Sequence, residues 1–350
     1  MLTKIINPEH ITRFKEWLNE CKKFVIIAHT NPDGDAIGSS LALYHYLRYI
    51  RKNAYVIMPN QFPDFLKWLP GADNVMIYPY LTDAANKRIV EADVICCLDF
   101  NRLDRVDEMA EQIRDSKAKK VLIDHHLDPE QFADITISHP EQSSTCELLY
   151  RFLCDLGYYY KMSTTVATCI YTGMMTDTGG FTYNSNNPEL FFIVSMLLQK
   201  HVDKDLVYRK VNYNFSASRL LLQGQVLTGM VVLPEYHTAI LTLTKEQQQK
   251  FQYSKGDSEG FVNIPLQIKE VIFTCFLRED TEKDMVKVSL RSIGEFPCNV
   301  VAEEFGGGGH KNASGGELLN MDAEMALQRF RKVLEKYKGL LEECYNQHPK

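Results

Sequence analysis

The sequence predicts an α/β protein. An N-terminal, doubly wound, mainly parallel sheet is followed by a smaller C-terminal α/β domain, and a helical linker joins the two. Three observations predict this. Short apolar β-type runs alternate with helical periodicity through the first half of the chain. After Gly229 the pattern changes to strands separated by turn-like breaks. Carboxylates and imidazoles of the first half collect where apolar runs stop, as they do on the carboxyl rim of a parallel sheet. On this reading residues 1–186 form the first domain, 187–218 the linker and 219–350 the second domain.

Taken in order, Ile11 to Cys21 carries apolar residues at helical spacing, with Phe14, Trp17 and Leu18 as its packing face. Phe24 to Ala28 is a β run and Ala36 to Ile50 is helical again. Further β runs are Ala54 to Met58, Val75 to Tyr78, Val94 to Asp99 and Val121 to Ile123, with helices between several of them as parallel crossovers require. A helix begins after Ser143-Ser144, where a hydroxyl caps the free amides and Glu147 follows one turn on. Another spans Thr164 to Met175, with Met174 and Met175 in the core. Asn187 to about Ser218 reads as helical and connective, with Pro188 near its start. VVLPEYHTAILTLT, VIFTCFLRED and MVKVSLRS are strands of the second domain, and Met321 to Cys344 is one long amphipathic helix.

With 350 residues, 45% hydrophobic and 24% charged, the chain has material for two cored domains. A net charge of -6 argues against a general binder of long nucleic acid, duplex DNA included, because such binding rests on many Lys and Arg contacts to phosphate. A short phosphorylated substrate is compatible with it. The nine cysteines are odd in number, lack CxxC spacing and lie mostly inside apolar runs, so free buried thiols and a reducing cytoplasm are expected. No signal-like stretch follows Met1 and no run of about 18 apolar residues occurs, so neither secretion nor a membrane span is expected.

The chemistry concentrates in the first domain. Asp124, His125 and His126 sit where Val121 to Ile123 stops, and His29, Asp33 and Asp35 follow Phe24 to Ala28. His29 and Asp33 are four apart but belong to a loop, since Pro32 and Gly34 break any helix between them. Gly34 lets the chain turn so that Asp33 and Asp35 face two different ions, while Gly38 and Ser39 allow the backbone to approach whatever lies above. Asp99 ends Val94 to Leu98, where its carboxylate can bridge two cations, and Asp177 sits beside Gly179 and Gly180 in a tight loop. His29, Asp33, Asp35, Asp99, His125 and Asp177 then supply six ligands, enough for two ions about 3.5–4 Å apart if one carboxylate is shared. Imidazoles with carboxylates suit Mn²⁺, Zn²⁺ or Fe rather than Ca²⁺, and gathered acids repel unless cations neutralise them. A single Asp or His at a strand end is ordinarily a cap or turn residue. Four such ends in one domain exceed what turns and solubility demand. Arg102 and Arg105, just past Asp99, either meet substrate or form exposed salt bridges.

At these residues the chain resembles the DHH phosphoesterase superfamily, named for the triplet Asp124-His125-His126. The resemblance extends to FGGGGHKNASGG (Phe305 to Gly316), which is similar to the glycine-and-histidine motif of the DHH-associated C-terminal domain, and to GFVNIPLQI (Gly260 to Ile268) and SLRS (Ser289 to Ser292). Together these motifs span about residues 20 to 320. Consecutive glycines also have a physical reading: they let backbone N–H groups close on an anion, with His310 and Arg291 adding charge or hydrogen bonds, although a plain flexible loop has the same composition.

The resemblance implies one Mn²⁺ held by His29, Asp33 and Asp99 and a second by Asp35, Asp99, His125 and Asp177, with Mg²⁺ or Co²⁺ as substitutes. It places His126 beside the substrate phosphate. Asp124 would orient an imidazole, since a ligating His needs its other nitrogen fixed. His126, Asp99 and Asp124 are thus the expected catalytic residues, and Arg291, Gly307, Gly308, His310 and Arg105 the expected substrate contacts. The implied activity is hydrolysis of short single-stranded oligoribonucleotides to mononucleotides through a water shared by two metal ions, the second domain gripping the far end. Removal of the 3′-phosphate from phosphoadenosine phosphate is a companion activity in several members. The alternatives are a linear or cyclic dinucleotide phosphodiesterase and, from another class, an inactive nucleotide-binding sensor. A pyrophosphatase or polyphosphatase fits the C-terminal motif less well. The oligomeric state stays open, a homo-oligomer among the choices.

Overall fold

The first helix, α1 (Pro8–Glu20), starts where the Asn7 side chain accepts from the amide of Glu9, and Pro8 occupies a position whose N–H has no helical partner in any case. It buries Ile11, Phe14 and Trp17. The computed structural model describes residues 2–254 and 256–347, and the chain divides into two units, Met1–Asn214 and Phe215–Lys350.

In the first unit β1 (Lys23–Ile27), α2 (Gly34–Tyr49), β2 (Asn53–Met58), β3 (Met76–Ile77), α3 (Thr82–Val90), β4 (Val94–Leu98), α4 (Met109–Asp115), β5 (Lys119–Asp124) and β6 (Ile135–Ser138) follow α1. They are followed by α5 (Thr145–Asp155), α6 (Thr164–Asp177), α7 (Pro188–Leu198) and α8 (Lys204–Asn212). The strands form one sheet in the order β3-β2-β1-β4-β5-β6, and every pairing is parallel. Strand order reverses between β1 and β4, which opens a crevice at their carboxyl ends. Val25, Ile27, Ile95, Cys97 and Leu122 fill the core on one face of the sheet. Phe24, Ile26, Cys96, Leu98, Val121 and Ile123 fill the core on the other. Burial on both faces is why these strands read as continuous apolar runs rather than as alternation.

Three details differ from the expected elements. β6 is a sixth parallel strand that the sequence reading passes over, because only Ile135 and Ile137 of its four residues are buried. The third strand shrinks from Val75–Tyr78 to Met76–Ile77. The space expected above Gly38 is filled by α6: a Cβ on Gly38 would lie 2.6 Å from the Cys169 carbonyl oxygen, and one on Gly173 would lie 3.1 Å from the Asp35 Cα of α2. These glycines therefore bring helices α2 and α6 together. The stretch 187–218 is helical, and Leu190, Ile193, Leu197 and Val207 of α7 and α8 belong to the first unit's core.

The second unit contains α9 (Ala217–Thr228), β7 (Val231–Leu233), β8 (Thr238–Leu243), α10 (Lys245–Lys250), β9 (Phe273–Glu279), β10 (Met285–Ser292) and α11 (Cys298–Glu303). It ends with β11 (Gly308–His310), β12 (Ala313–Leu319), α12 (Ala323–Lys336) and α13 (Lys338–Gln347). Its sheet has the order β11-β12-β10-β9-β8-β7, with β8 and β9 parallel and the other pairs antiparallel. One face packs on α11 and α12 through Val288, Leu290, Val301 and Phe330. On the opposite face Leu222, Val226 and Phe261 pack against Leu241 and Leu243 of β8 and Phe276 of β9.

The long C-terminal helix is in fact two, interrupted at Tyr337, whose N–H bonds to the Leu334 carbonyl in a tighter turn just before Gly339. The glycine motif likewise departs from the expected loop: Gly308, Gly309 and His310 form strand β11 and pair with Gly315, Ser314 and Ala313. Gly309 has φ +138, which other residues rarely adopt, and a Cβ on Gly307 would fall 1.8 Å from the Gly315 carbonyl oxygen. Close strand pairing is thus one reason for the glycines. Among the described residues no helix is long and apolar enough to cross a membrane. All nine cysteines are free thiols, Cys154 alone being only partly buried.

Candidate metal centre

The crevice between β1 and β4 collects side chains from five segments. His29 lies just past β1. Asp33 caps α2, its Oδ1 accepting from the amides of Asp35 and Ala36 at 3.0 and 3.1 Å, and Asp35 lies in the first turn of that helix. Asp99 follows β4 directly with φ 63, a left-handed conformation that Asp tolerates better than most residues, and its N–H donates to the Ile123 carbonyl. Asp124 ends β5, with His125 and His126 beyond it, and Asp177 is the last residue of α6.

Asp99 is the hub. Its Oδ2 lies 3.4 Å from His29 Nε2 and its Oδ1 lies 3.7 Å from His125 Nε2. His29 Nε2 also faces Asp33 Oδ1 at 3.9 Å, and His125 Nε2 faces Asp177 Oδ2 at 3.5 Å. Two three-residue groups result, His29 with Asp33 and Asp99, and Asp35 with His125 and Asp177; a third joins Asp99, His125 and His126. All six residues expected as ligands are therefore brought to one place.

The hydrogen bonds on the other ring nitrogens say what these contacts are. His29 Nδ1 donates to the Thr30 carbonyl at 2.7 Å, and His125 Nδ1 makes a longer contact of 3.4 Å to the Gln142 carbonyl. Each fixes Nδ1 as the donor and turns Nε2 toward the carboxylates. The Nε2···O separations exceed the roughly 2.7–2.9 Å of a charge-assisted hydrogen bond. They match ligand atoms about 2.0–2.2 Å from a common ion. The contrast lies within the site, for His126 Nδ1 donates to Asp124 Oδ1 at 2.7 Å, an ordinary strong hydrogen bond.

Charge points the same way. Burial pushes the Asp99 and Asp177 carboxyls well above the usual range, and Asp35 and Asp33 nearby push them further. Burial also raises Asp35, although His125 opposes it. For His125 burial favours the neutral ring, yet Asp99 and Asp35 outweigh it and the imidazole rises. This is a buried surplus of negative charge that a cation would relieve. The acidic and histidine side chains are positioned to bind a metal.

Other expected residues fall elsewhere. Arg105 is partly buried in the turn after Asp99, where its carbonyl accepts from Thr30 N–H at 2.7 Å beside His29. Arg102 pairs with Asp104 on the surface at 3.2 Å, the plainer of its two readings. Arg291, Gly307, Gly308 and His310 are in the second unit. There Arg291 and His310 both stand opposite Ala313, so their side chains share one face of the sheet with a small residue between them. The sequence reading missed Thr145, whose hydroxyl donates to Asp99 Oδ1 at 2.9 Å. Its only sequence signal is its place directly after the Ser143-Ser144 cap.

Comparison with known proteins identifies the family. Residues 23–174 match the DHH family N-terminal domain, and residues 235–340 match the DHHA1 domain. The chain belongs to the DHH family. It is 58% identical to a crystal structure described as an exopolyphosphatase-related protein from Bacteroides fragilis, with a TM-score of 0.95 over 97% of this chain and 100% of that one. It is 29% identical to the bifunctional oligoribonuclease and PAP phosphatase NrnA of Thermus thermophilus, over 87% of this chain and 86% of the relative. The NrnA of Bacillus subtilis is 26% identical over 85% of this chain and 90% of its own length. The DHH triplet is the Asp124-His125-His126 stretch at the end of β5.

Proposed function

We propose that this DHH protein is a metal-dependent phosphoesterase that hydrolyses short oligoribonucleotides to mononucleotides and also removes the 3′-phosphate of phosphoadenosine phosphate. The observation that carries the reading is the pair of imidazole Nε2 atoms facing carboxylates at 3.4–3.9 Å, longer than charge-assisted hydrogen bonds and spaced for shared cations. The substrate class draws on the two relatives named as oligoribonuclease and PAP phosphatase.

His29, Asp33 and Asp99 would hold one ion, and Asp35, Asp99, His125 and Asp177 the other, with Asp99 shared. Divalent ions there, Mn²⁺ first and Mg²⁺ or Co²⁺ as substitutes, supply an activated water and neutralise phosphoryl charge. Asp124 fixes the ring of His126 through two hydrogen bonds, so that the imidazole meets the phosphoryl oxygens in one orientation. Arg105 sits at the edge of the same crevice as a substrate contact. In the second unit Arg291 and His310 supply a cation and a ring on one face of the sheet, with Gly307 and Gly308 beside them as further substrate contacts.

The test is a panel of 5′-labelled RNAs, from dinucleotides upward, with phosphoadenosine phosphate, a cyclic dinucleotide and inorganic polyphosphate, each assayed with Mn²⁺ and with chelator. Metal-dependent conversion of the short RNAs to mononucleotides is the expected result. The description of the 58% identical structure favours a second reading, hydrolysis of a phosphoanhydride chain that carries no base. Preference for polyphosphate over every RNA would select it. Absence of any metal-dependent turnover would reject both.

A further inference from the structure

Thr145, the first residue of α5, touches two carboxylates of the site at once. Its hydroxyl donates to Asp99 Oδ1 at 2.9 Å, and its backbone N–H donates to Asp35 Oδ2 at 2.6 Å. The next amide, of Cys146, donates to Asp35 Oδ1 at 2.9 Å. Asp35 thus has both oxygens tied to the start of α5 through main-chain amides, which any residue at these positions would supply. The bond to Asp99 is different, because it needs a hydroxyl. Thr145, Asp99 and Asp35 are all at most 2% exposed, so water does not compete for these bonds.

The oxygen that Thr145 holds is the one facing His125, which leaves Oδ2 to face His29. Rotation about an aspartate's Cβ–Cγ bond is broad and roughly two-fold, so the backbone does not determine where the two oxygens point. A hydroxyl fixed on one of them does. We propose that Thr145 is a positioning residue that sets the carboxylate plane of Asp99, so that one oxygen is presented to each half of the metal centre. This rests on the metal-centre reading above.

The experiment titrates Mn²⁺ alone into the full-length, chelator-treated protein and follows binding by calorimetry. The wild type is compared with Thr145→Val and Thr145→Ala, which lack the hydroxyl but keep the N–H, and with Thr145→Ser, which keeps both. Cooperative melting in chelator identifies the variants that fold, and either hydroxyl-free variant suffices. We expect Mn²⁺ affinity to fall about 10- to 100-fold without the hydroxyl, to stay near the wild-type value in Thr145→Ser, and turnover to recover as Mn²⁺ is raised. Wild-type affinity in a folded hydroxyl-free variant would overturn the proposal. So would a Thr145→Ser protein as weak as Thr145→Val, since packing of the methyl group would then be the cause. A wild type that binds no Mn²⁺ would instead overturn the metal-centre reading, and this inference with it.

Discussion

Asp124 grips His126 at two points: one carboxylate oxygen accepts from ring Nδ1 at 2.7 Å and the other from the backbone N–H at 3.0 Å. Asp124 is fully buried and His126 partly exposed, so the pair presents a fixed imidazole to the crevice. Asp124→Asn keeps the shape but offers an amide in place of one accepting oxygen, which disturbs the ring orientation. We expect turnover to fall about 10- to 100-fold while Mn²⁺ binding by calorimetry stays close to wild type. Unchanged turnover would remove His126 from the reaction.

The hub position calls for a substitution that respects its backbone. At φ 63, alanine at residue 99 would add about 1–2 kcal/mol of left-handed strain, whereas asparagine tolerates that region. Asp99→Asn should therefore abolish hydrolysis while melting in chelator stays near the wild-type temperature, and Asp99→Ala should lose both activity and stability. Near-normal turnover of Asp99→Asn would refute its shared role.

Stability has its own buried charges. Arg151 pairs with Glu147 at 2.8 Å and with Glu189 at 3.0 Å, and Arg151 and Glu147 are almost wholly buried. Arg151→Met leaves the Glu147 carboxylate without its cation and should cost about 3–5 kcal/mol in denaturant unfolding. Glu147 also accepts from Ser143 N and Oγ, so the loss would reach the start of α5, next to Asp35 and Asp99. A change below about 1 kcal/mol, the worth of a surface pair, would show that the network adds little.

In the second unit His310→Ala should raise KM for a short RNA several-fold with little change in kcat, because His310 belongs to binding rather than to the reacting centre. Steady-state kinetics on one defined oligonucleotide check this. A fall in kcat at constant KM would contradict it.

Much of this was legible in the sequence, for a physical reason. Strands buried on both faces write themselves as apolar runs, and a parallel sheet gathers their carboxyl ends, so His29, Asp99 and His125 mark one rim before any coordinates are known. What was not legible depends on partners far along the chain. Thr145 reads as an ordinary helix-start residue until Asp99, 46 positions away, arrives beside it. Gly38 and Gly173 owe their size to each other's helices rather than to a ligand, and the glycines before His310 pair as a strand where composition suggests a loop. β6 is hidden by its brevity, and Gly339 gave too weak a break for the split between α12 and α13 to be foreseen.

The central claim is that Asp99 lies between two bound cations. Anomalous diffraction at the manganese edge from Mn²⁺-soaked crystals tests it most directly. The account predicts two peaks about 3.5–4 Å apart, one against His29, Asp33 and Asp99 and the other against Asp35, Asp99, His125 and Asp177. Saturating Mn²⁺ that leaves no peak in contact with Asp99 would contradict it.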